Sequence, residues 1–252
     1  MAVLQARLQY AMGLKMSENY VALDLETTGL NPNRDRILEI GAVKVIGGEV
    51  TDTYETFVDC QMRIPEKITA LTGIDDSMMK GAECTETAVR TLVDFCEGLP
   101  LLGHNVIFDY SFIKRQAVNY KLSFEKKGID TLKIARQCLD DVPSKSLTSL
   151  CCHFGIGQER HHRALDDAIS SSELYKLLAG EYARAIPRAF VPQELIFQVK
   201  KQNPITNSQK VYLIDLVKYH KIELDVTIES MTRNDASRLI DKIILEYGRI
   251  KR

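Results

Sequence analysis

The chain has 252 residues, 45% of them hydrophobic, enough to bury one substantial core with a small second module. Its 33 Lys+Arg against 34 Asp+Glu leave a formal charge of −1, which excludes the global basic footprint of a protein that coats nucleic acid. No stretch approaches the roughly 20 apolar residues of a membrane span, and six cysteines without a C-x-x-C pair argue against a disulfide scaffold or zinc knuckle, so a reduced, cytoplasmic protein is expected.

The first predicted element is a rough helical stripe, Val3, Leu4, Leu8, Met12 and Leu14, in an N-terminal extension over residues 1–17 that lacks the apolar run of a secretion signal, with Met16 as the alternative start. Residues 20–25 read as a buried strand, followed by the turn-like Thr27-Thr28-Gly29-Leu30-Asn31-Pro32. Strands over 37–46 and 50–58 are joined at Gly47-Gly48, a strong two-residue hairpin signal. Residues 85–96 form a helix with Ala88, Val89, Leu92, Val93 and Cys96 on one face. A short strand over 99–102 then ends at Gly103-His104-Asn105. A helix over 108–120, a strand-to-helix passage over 128–134 and helices over 147–154 and 164–178 complete the set.

Hairpin strands followed by alternating helix and strand imply an α/β fold, a mixed sheet with helices on its faces. This domain is placed at residues 18–182. Residues 183–202, with Pro187 and Pro192, read as a linker. Residues 203–252 form a helical mini-domain, its first helix capped by Ser208 and running to His220. Its last helix is capped at Thr232 with Asp235 three residues on, and carries Ala236, Leu239, Ile240, Ile243 and Tyr247. The charge is uneven, too. Residues 181–252 carry 13 Lys+Arg against 9 Asp+Glu, and residues 1–180 carry 20 against 25.

Asp24 and Glu26 are two apart on a strand, so both project from one face at the end of an apolar run. Such carboxylates are costly if buried unpaired, and a metal ion removes the cost. Asp109 follows a short strand and a sharp turn, near a helix start, which places it beside the strand tips. Asn105 reads either as a group that orients Asp109 or a metal-bound water, or equally as a turn residue. Asp167 points inward from a helix that begins near Arg163, while His162 stays on the preceding loop with His161 as its competitor. Taken singly, each also fits a solvated strand edge, a helix-dipole acid or a polar helix start. The run Cys151, Cys152, His153, His161 and His162 lacks zinc-ligand spacing.

Together, three segments resemble the DnaQ-like DEDD superfamily of 3′→5′ exonucleases, in the DEDDh branch whose last motif carries His. They are Asp24-Leu25-Glu26-Thr27-Thr28-Gly29-Leu30, His104-Asn105-Val106-Ile107-Phe108-Asp109, and His162-Arg163-Ala164-Leu165-Asp166-Asp167-Ala168, with Leu71-Thr72-Gly73-Ile74 as a fourth likeness. Order and spacing agree over about residues 18–180. Within the superfamily the chain is most similar to the epsilon proofreading subunit of bacterial DNA polymerase III and the exonuclease domain of the Gram-positive replicative polymerase.

The resemblance implies a ribonuclease-H-like fold with a five-stranded mixed sheet. It also implies two divalent metal ions, Mg²⁺ or Mn²⁺, held by Asp24, Glu26, Asp109 and Asp167, with His162 as general base. Thr27, Thr28 and Gly29 would lie at the terminal nucleotide, with Leu30 and Ile74 wedged against its base and Phe108 and Asn105 nearby, core packing being the alternative for Leu30, Ile74 and Phe108. The implied activity is hydrolysis of DNA from its 3′ end to nucleoside 5′-monophosphates, in proofreading or repair. The implied partners are single-stranded or frayed 3′ ends, with no membrane.

An RNA or oligoribonucleotide exonuclease is the alternative of the same chemistry, because the motifs do not distinguish the sugar. A non-catalytic adaptor binding a polymerase or a nucleic-acid end is the alternative from another class. Gln193-Glu194-Leu195-Ile196-Phe197 loosely resembles a sliding-clamp-binding peptide, departing at Glu194, with packing on the catalytic domain as the competing reading.

Overall fold

The alternation of side-chain direction along Tyr20–Thr27 (β1) sets the plan of the molecule. Val21, Leu23 and Leu25 face one apolar cluster while Tyr20 and Ala22 face another, so helices must cover both sides of the sheet. The computed structural model describes residues 16–157, 163–199, 203–224 and 226–250. Antiparallel Ile37–Ile46 (β2) and Glu49–Asp59 (β3) follow β1. Gly47 and Gly48 turn between them with φ of 61° and 83°, the pair of positive φ values that a tight hairpin requires.

Glu66–Thr72 (α1) ends on Gly73, which takes the left-handed φ of 72°. Glu83–Cys84 (β4) lies beside β3 and leads into Thr85–Cys96 (α2), which buries Ala88, Val89, Leu92 and Cys96 as its periodicity predicts. Leu101–Gly103 (β5) runs parallel to β1, and Ile107–Asn119 (α3) returns across the α2 side of the sheet. Lys127–Asp130 (β6) pairs parallel to β5. Asp130 then caps Thr131–Cys138 (α4), accepting from the Leu132 and Lys133 amides. Leu147–Phe154 (α5) and Ala164–Tyr182 (α6) cover the second face.

The expected five-stranded sheet, β3-β2-β1-β5-β6, is present and gains a two-residue strand at each edge, giving the order β4-β3-β2-β1-β5-β6-β7. The last strand is Gln193–Glu194 (β7), antiparallel to β6. Its presence agrees with the reading of residues 193–197 as a segment packed on the catalytic domain, the competitor of their likeness to a clamp-binding peptide. Leu195 lies against Gly128, where a Cβ would come within 2.7 Å of it, and Leu195 and Phe197 both pack on the core under α2 and α3. Just upstream, Phe190 in the 3₁₀ turn Pro187–Phe190 is buried against the opposite cluster. No helix among the described residues is long and apolar enough to cross a membrane.

Asn207–His220 (α7) and Arg233–Tyr247 (α8) enclose a cluster of their own, with Ile205, Leu213, Leu216, Met231, Ala236, Ile240 and Ile243 buried in it. Thr206, rather than Ser208, caps α7. Gln209 stands three residues on, so its backbone donates to the Thr206 hydroxyl while its side chain accepts from the Thr206 amide. Ser208 falls within the first turn. Thr232 caps α8 as predicted, accepting from the Asp235 amide at 3.2 Å. The helical pair meets the sheet domain at residues 61–62, where Met62 bridges Val226 and the Thr227 amide donates to the Gln61 carbonyl.

Candidate active site

Asp24 and Glu26 continue the Tyr20–Ala22 face of β1, the face that α6 covers. The strand's period thus aims both carboxylates at the helix bearing Asp167. Carboxylate oxygens of Asp24, Glu26 and Asp167 all lie within 4.8 Å of one another. Asp109 reaches the site from the other layer. It is buried in the first turn of α3, where its Oδ1 accepts from the Leu25 amide at 3.1 Å. That amide is available because β5 pairs with β1 at Val21 and Ala22, upstream of it. The Leu25 amide, not Asn105, therefore orients Asp109. Asn105 is an exposed turn residue with φ of 76°, and its amide donates to Asp130.

Two residues that the motif reading passed over bring α6 to β1. Gly41 sits opposite Asp24 in the β1–β2 register, and a Cβ built on it would overlap the Ala164 carbonyl and the Leu165 amide. Only a glycine lets the helix start lie so close to the strand. Beside it, Glu39 is fully buried opposite Glu26, a pairing of like charges that alone would be unfavourable. Arg163 resolves the conflict. Its guanidinium donates to both Glu39 oxygens, with Nη2–Oε1 at 2.7 Å, and the Ala164 amide adds a 3.2 Å bond to Oε2. Arg163 also lies over the Phe57 ring and reaches Glu55 at 3.3 Å. The Glu39–Arg163 clasp and Gly41 together fix where α6 begins, and so where Asp167 projects. Glycine within a strand pattern and an acid in the middle of an apolar one were the available signals for them.

Electrostatics set this cluster apart from an ordinary acidic surface. Burial pushes the Asp24 carboxyl well above the usual range, and Asp109, Asp167, Glu26 and Glu39 push it further. Glu26 is raised to about 8, by burial first and then by Asp167 and Glu39, with Arg163 opposing. Burial also raises Asp109, against the backbone amides that favour its charged form. All-oxygen ligands, half-buried and mutually repelling, suit a hard divalent cation, which would cancel the repulsion.

A sign follows for stability. Unfolded carboxyls titrate near about 4, whereas the folded ones hold their protons to higher pH, Glu26 to about 8. The folded state binds the extra protons between those limits, so this contribution is full below the unfolded value and is lost as pH rises through the folded one. The melting temperature of EDTA-treated protein is expected to fall between about pH 5 and about pH 8, and Mn²⁺ to restore it most at the upper end. A flat profile with no Mn²⁺ response would count against a metal-binding cluster.

The loop after β1 is pinned at both ends. Thr27 Oγ1 donates to the Gly29 carbonyl at 2.7 Å, and the Arg36 amide donates to Thr28 Oγ1 at 2.9 Å. A Cβ on Gly29 would meet the Asp35 carboxylate at 2.6 Å. At its tip Leu30 is 85% exposed, a large apolar side chain with no cover. Ile74, its expected companion wedge, is instead fully buried with Leu38, Cys60 and Ile64, because Gly73 turns the chain inward there. Phe108 is half-buried against Phe112, their ring centroids 5.1 Å apart. His104 holds the turn before α3, with Nδ1 2.9 Å from Thr131 Oγ1 and Nε2 2.7 Å from the Lys145 carbonyl, and burial lowers its pKa. His162, the expected base, and His161 lie outside the described residues.

A profile of the Exonuclease family, of RNase T type, matches residues 21–175. The PolC-type DNA polymerase III of Caldanaerobacter subterraneus subsp. tengcongensis is 41% identical over 156 residues, which is 62% of this chain and 11% of that protein. The PolC-type enzyme of Clostridium perfringens is 38% identical over 159 residues, 63% of this chain and again 11% of the relative. The chain thus spans about a tenth of the length of the curated relatives it matches. Among solved structures, Escherichia coli exonuclease I in complex with a dT13 oligonucleotide superposes with a TM-score of 0.62. The identity is 18%, covering 68% of this chain and 43% of the other, a likeness of fold alone. Match and architecture agree, and the chain belongs to the exonuclease family.

Proposed function

We propose that this chain is a metal-dependent 3′→5′ exonuclease that releases nucleoside 5′-monophosphates from single-stranded or frayed DNA ends, in proofreading or repair. The observation that carries the reading is the convergence of Asp24, Glu26 and Asp167 within 4.8 Å, with Asp109 fastened to the strand between the first two. Asp24, Glu26 and Asp167 would hold one divalent ion and Asp24 with Asp109 a second. Bound there, Mg²⁺ or Mn²⁺ would lower the pKa of water and stabilise charge on the attacking and departing oxygens.

The chain's own groups position the substrate and move the proton. Exposed Leu30 offers an apolar face to the terminal base, on a pinned loop that leaves the strand bearing Asp24 and Glu26. His162, next in sequence to the anchored Arg163, accepts the proton of the attacking water, an imidazole being suited to that near neutral pH. The new bond joins the water oxygen to phosphorus. The bond from phosphorus to the O3′ of the penultimate nucleotide breaks, and that oxygen takes up a proton as the shortened strand's new 3′ end.

The PolC-type relatives make a replicative polymerase a fitting partner. Six free thiols suit a reducing cytoplasm. We place the catalytic unit at residues 18–182, completed by β7 and the packed residues through Phe197, with residues 203–252 as an appended helical module. Time courses on matched 5′-labelled DNA and RNA strands with Mg²⁺ test the reading. A ladder shortening from the 3′ end, faster on DNA, is expected. Faster loss of RNA would transfer the reading to an oligoribonucleotide exonuclease, and binding without any cleavage would leave an adaptor.

A further inference from the structure

The family match ends at residue 175, and the helical pair α7–α8 lies beyond it. A cleft of about 420 Å³ opens between that helical pair and the loop following β1. Arg34 and Arg36 line it from the loop, Arg238 and Lys242 from α8. These cations come from elements some two hundred positions apart in sequence, and none belongs to an ion pair within 4.0 Å among the described residues.

Against these four cations the cleft is lined by one acid, which offsets them only in part. Asp235, its only acidic lining residue, accepts a 2.6 Å bond from the Thr232 hydroxyl at the α8 cap. Asp35, on the same loop, is turned toward Gly29 and accepts from the Asn31 amide at 2.7 Å. Close by, Arg115 is buried and donates to the neutral Asn33 side chain; burial first and then the charge of Arg36 oppose its own charge, with Asp235 acting the other way. A positive cleft with so little internal compensation favours a polyanion. Met62, Met231 and Leu239 supply apolar surface between the charges, as sugars and bases would require.

Position gives the cleft its occupant. The Arg36 amide and carbonyl bond to Thr28, so one short loop presents Leu30 at its tip and Arg34 and Arg36 at its far end. We propose that the cleft is a phosphate-backbone site for single-stranded nucleic acid. It would hold nucleotides on the 5′ side of the end that enters the carboxylate cluster. The inference rests on the nuclease reading above and adds a length dependence to it. Strands too short to span from Leu30 to α8 forgo the contact.

The test uses the full chain and the Arg238→Gln/Lys242→Gln variant, both changes lying on the exposed side of α8. Lys218→Gln/Lys221→Gln, which removes equal charge away from the cleft, is the control. Anisotropy of a fluorescent oligo-dT of about 20 nucleotides, in EDTA so that the strand stays intact, should show Kd about tenfold weaker for the cleft variant at low salt. The slope of log K against log salt should flatten by about 1.4, two contacts at about 0.7 each. In Mg²⁺, the preference in kcat/KM for that strand over a trinucleotide should fall about tenfold. The control should behave as the unaltered chain does.

An unchanged Kd in the cleft variant, or an equal loss in the control, overturns the inference. If the unaltered chain cleaves no substrate, the nuclease reading fails. If it cleaves and the length preference does not move, the cleft alone fails.

Discussion

Asp24→Asn is expected to abolish nuclease activity, lowering kcat by at least about a thousandfold, while raising the melting temperature of the metal-free protein. The two effects have one cause. Asp24 meets the charges of Asp109, Asp167, Glu26 and Glu39 in a desolvated cleft, so an amide of the same shape removes repulsion at its centre. The same amide is a poor ligand for a hard cation and cannot neutralise one. Melting curves with and without Mn²⁺, beside single-turnover rates on 5′-labelled DNA, read both effects. The variant should be the more stable protein in EDTA and should lose most of the Mn²⁺-induced gain. A variant that is less stable in EDTA yet still gains fully from Mn²⁺ would mean that Asp24 is structural. Asp109→Asn and Asp167→Asn should share the loss of activity.

Gly41→Ala is expected to cost about 2–3 kcal/mol of stability and at least about a hundredfold in kcat/KM, although Gly41 carries no chemistry. Its missing side chain is what allows the Ala164–Leu165 backbone to lie against β2 opposite Asp24. A methyl group there must lift the start of α6. Asp167 would then move away from Asp24 and Glu26, and the Arg163–Glu39 clasp two residues along β2 would be strained. Urea midpoints and kcat/KM at saturating Mg²⁺ measure the two losses. If the variant matches the unaltered chain in both, the close approach is not what sets the site. Loss of stability alone, with kcat/KM kept, would show that Asp167 is positioned by contacts further along the helix.

Residues whose neighbours are local were legible in the sequence. Alternation in β1 placed Asp24 and Glu26 on one face, the Gly47-Gly48 doublet placed the hairpin, and the α2 stripe placed its buried face. Asp109 was expected beside the strand tips and lies there, though the bond that holds it comes from Leu25 rather than Asn105. Residues placed by distant partners were not legible. Edge strands β4 and β7 have two residues each, too few for any period, and exist because a neighbouring strand offers open hydrogen-bonding groups. Glu39 reads as an interruption of an apolar strand until Arg163, far along the chain, is brought against it.

Ile74 had the chemistry of a wedge but follows a left-handed glycine that turns it into the core. The α7 cap was misplaced by two residues because Ser208 and Thr206 are both good caps. Only the reciprocal Gln209 contact separates them.

Crystals soaked with Mn²⁺ and thymidine 5′-monophosphate, measured at the manganese absorption edge, test the central claim most directly. Two anomalous peaks are expected, one among Asp24, Glu26 and Asp167 and the other between Asp24 and Asp109, with the nucleotide phosphate touching both. Manganese bound elsewhere, or these four side chains turned to separate places in its presence, would contradict the account.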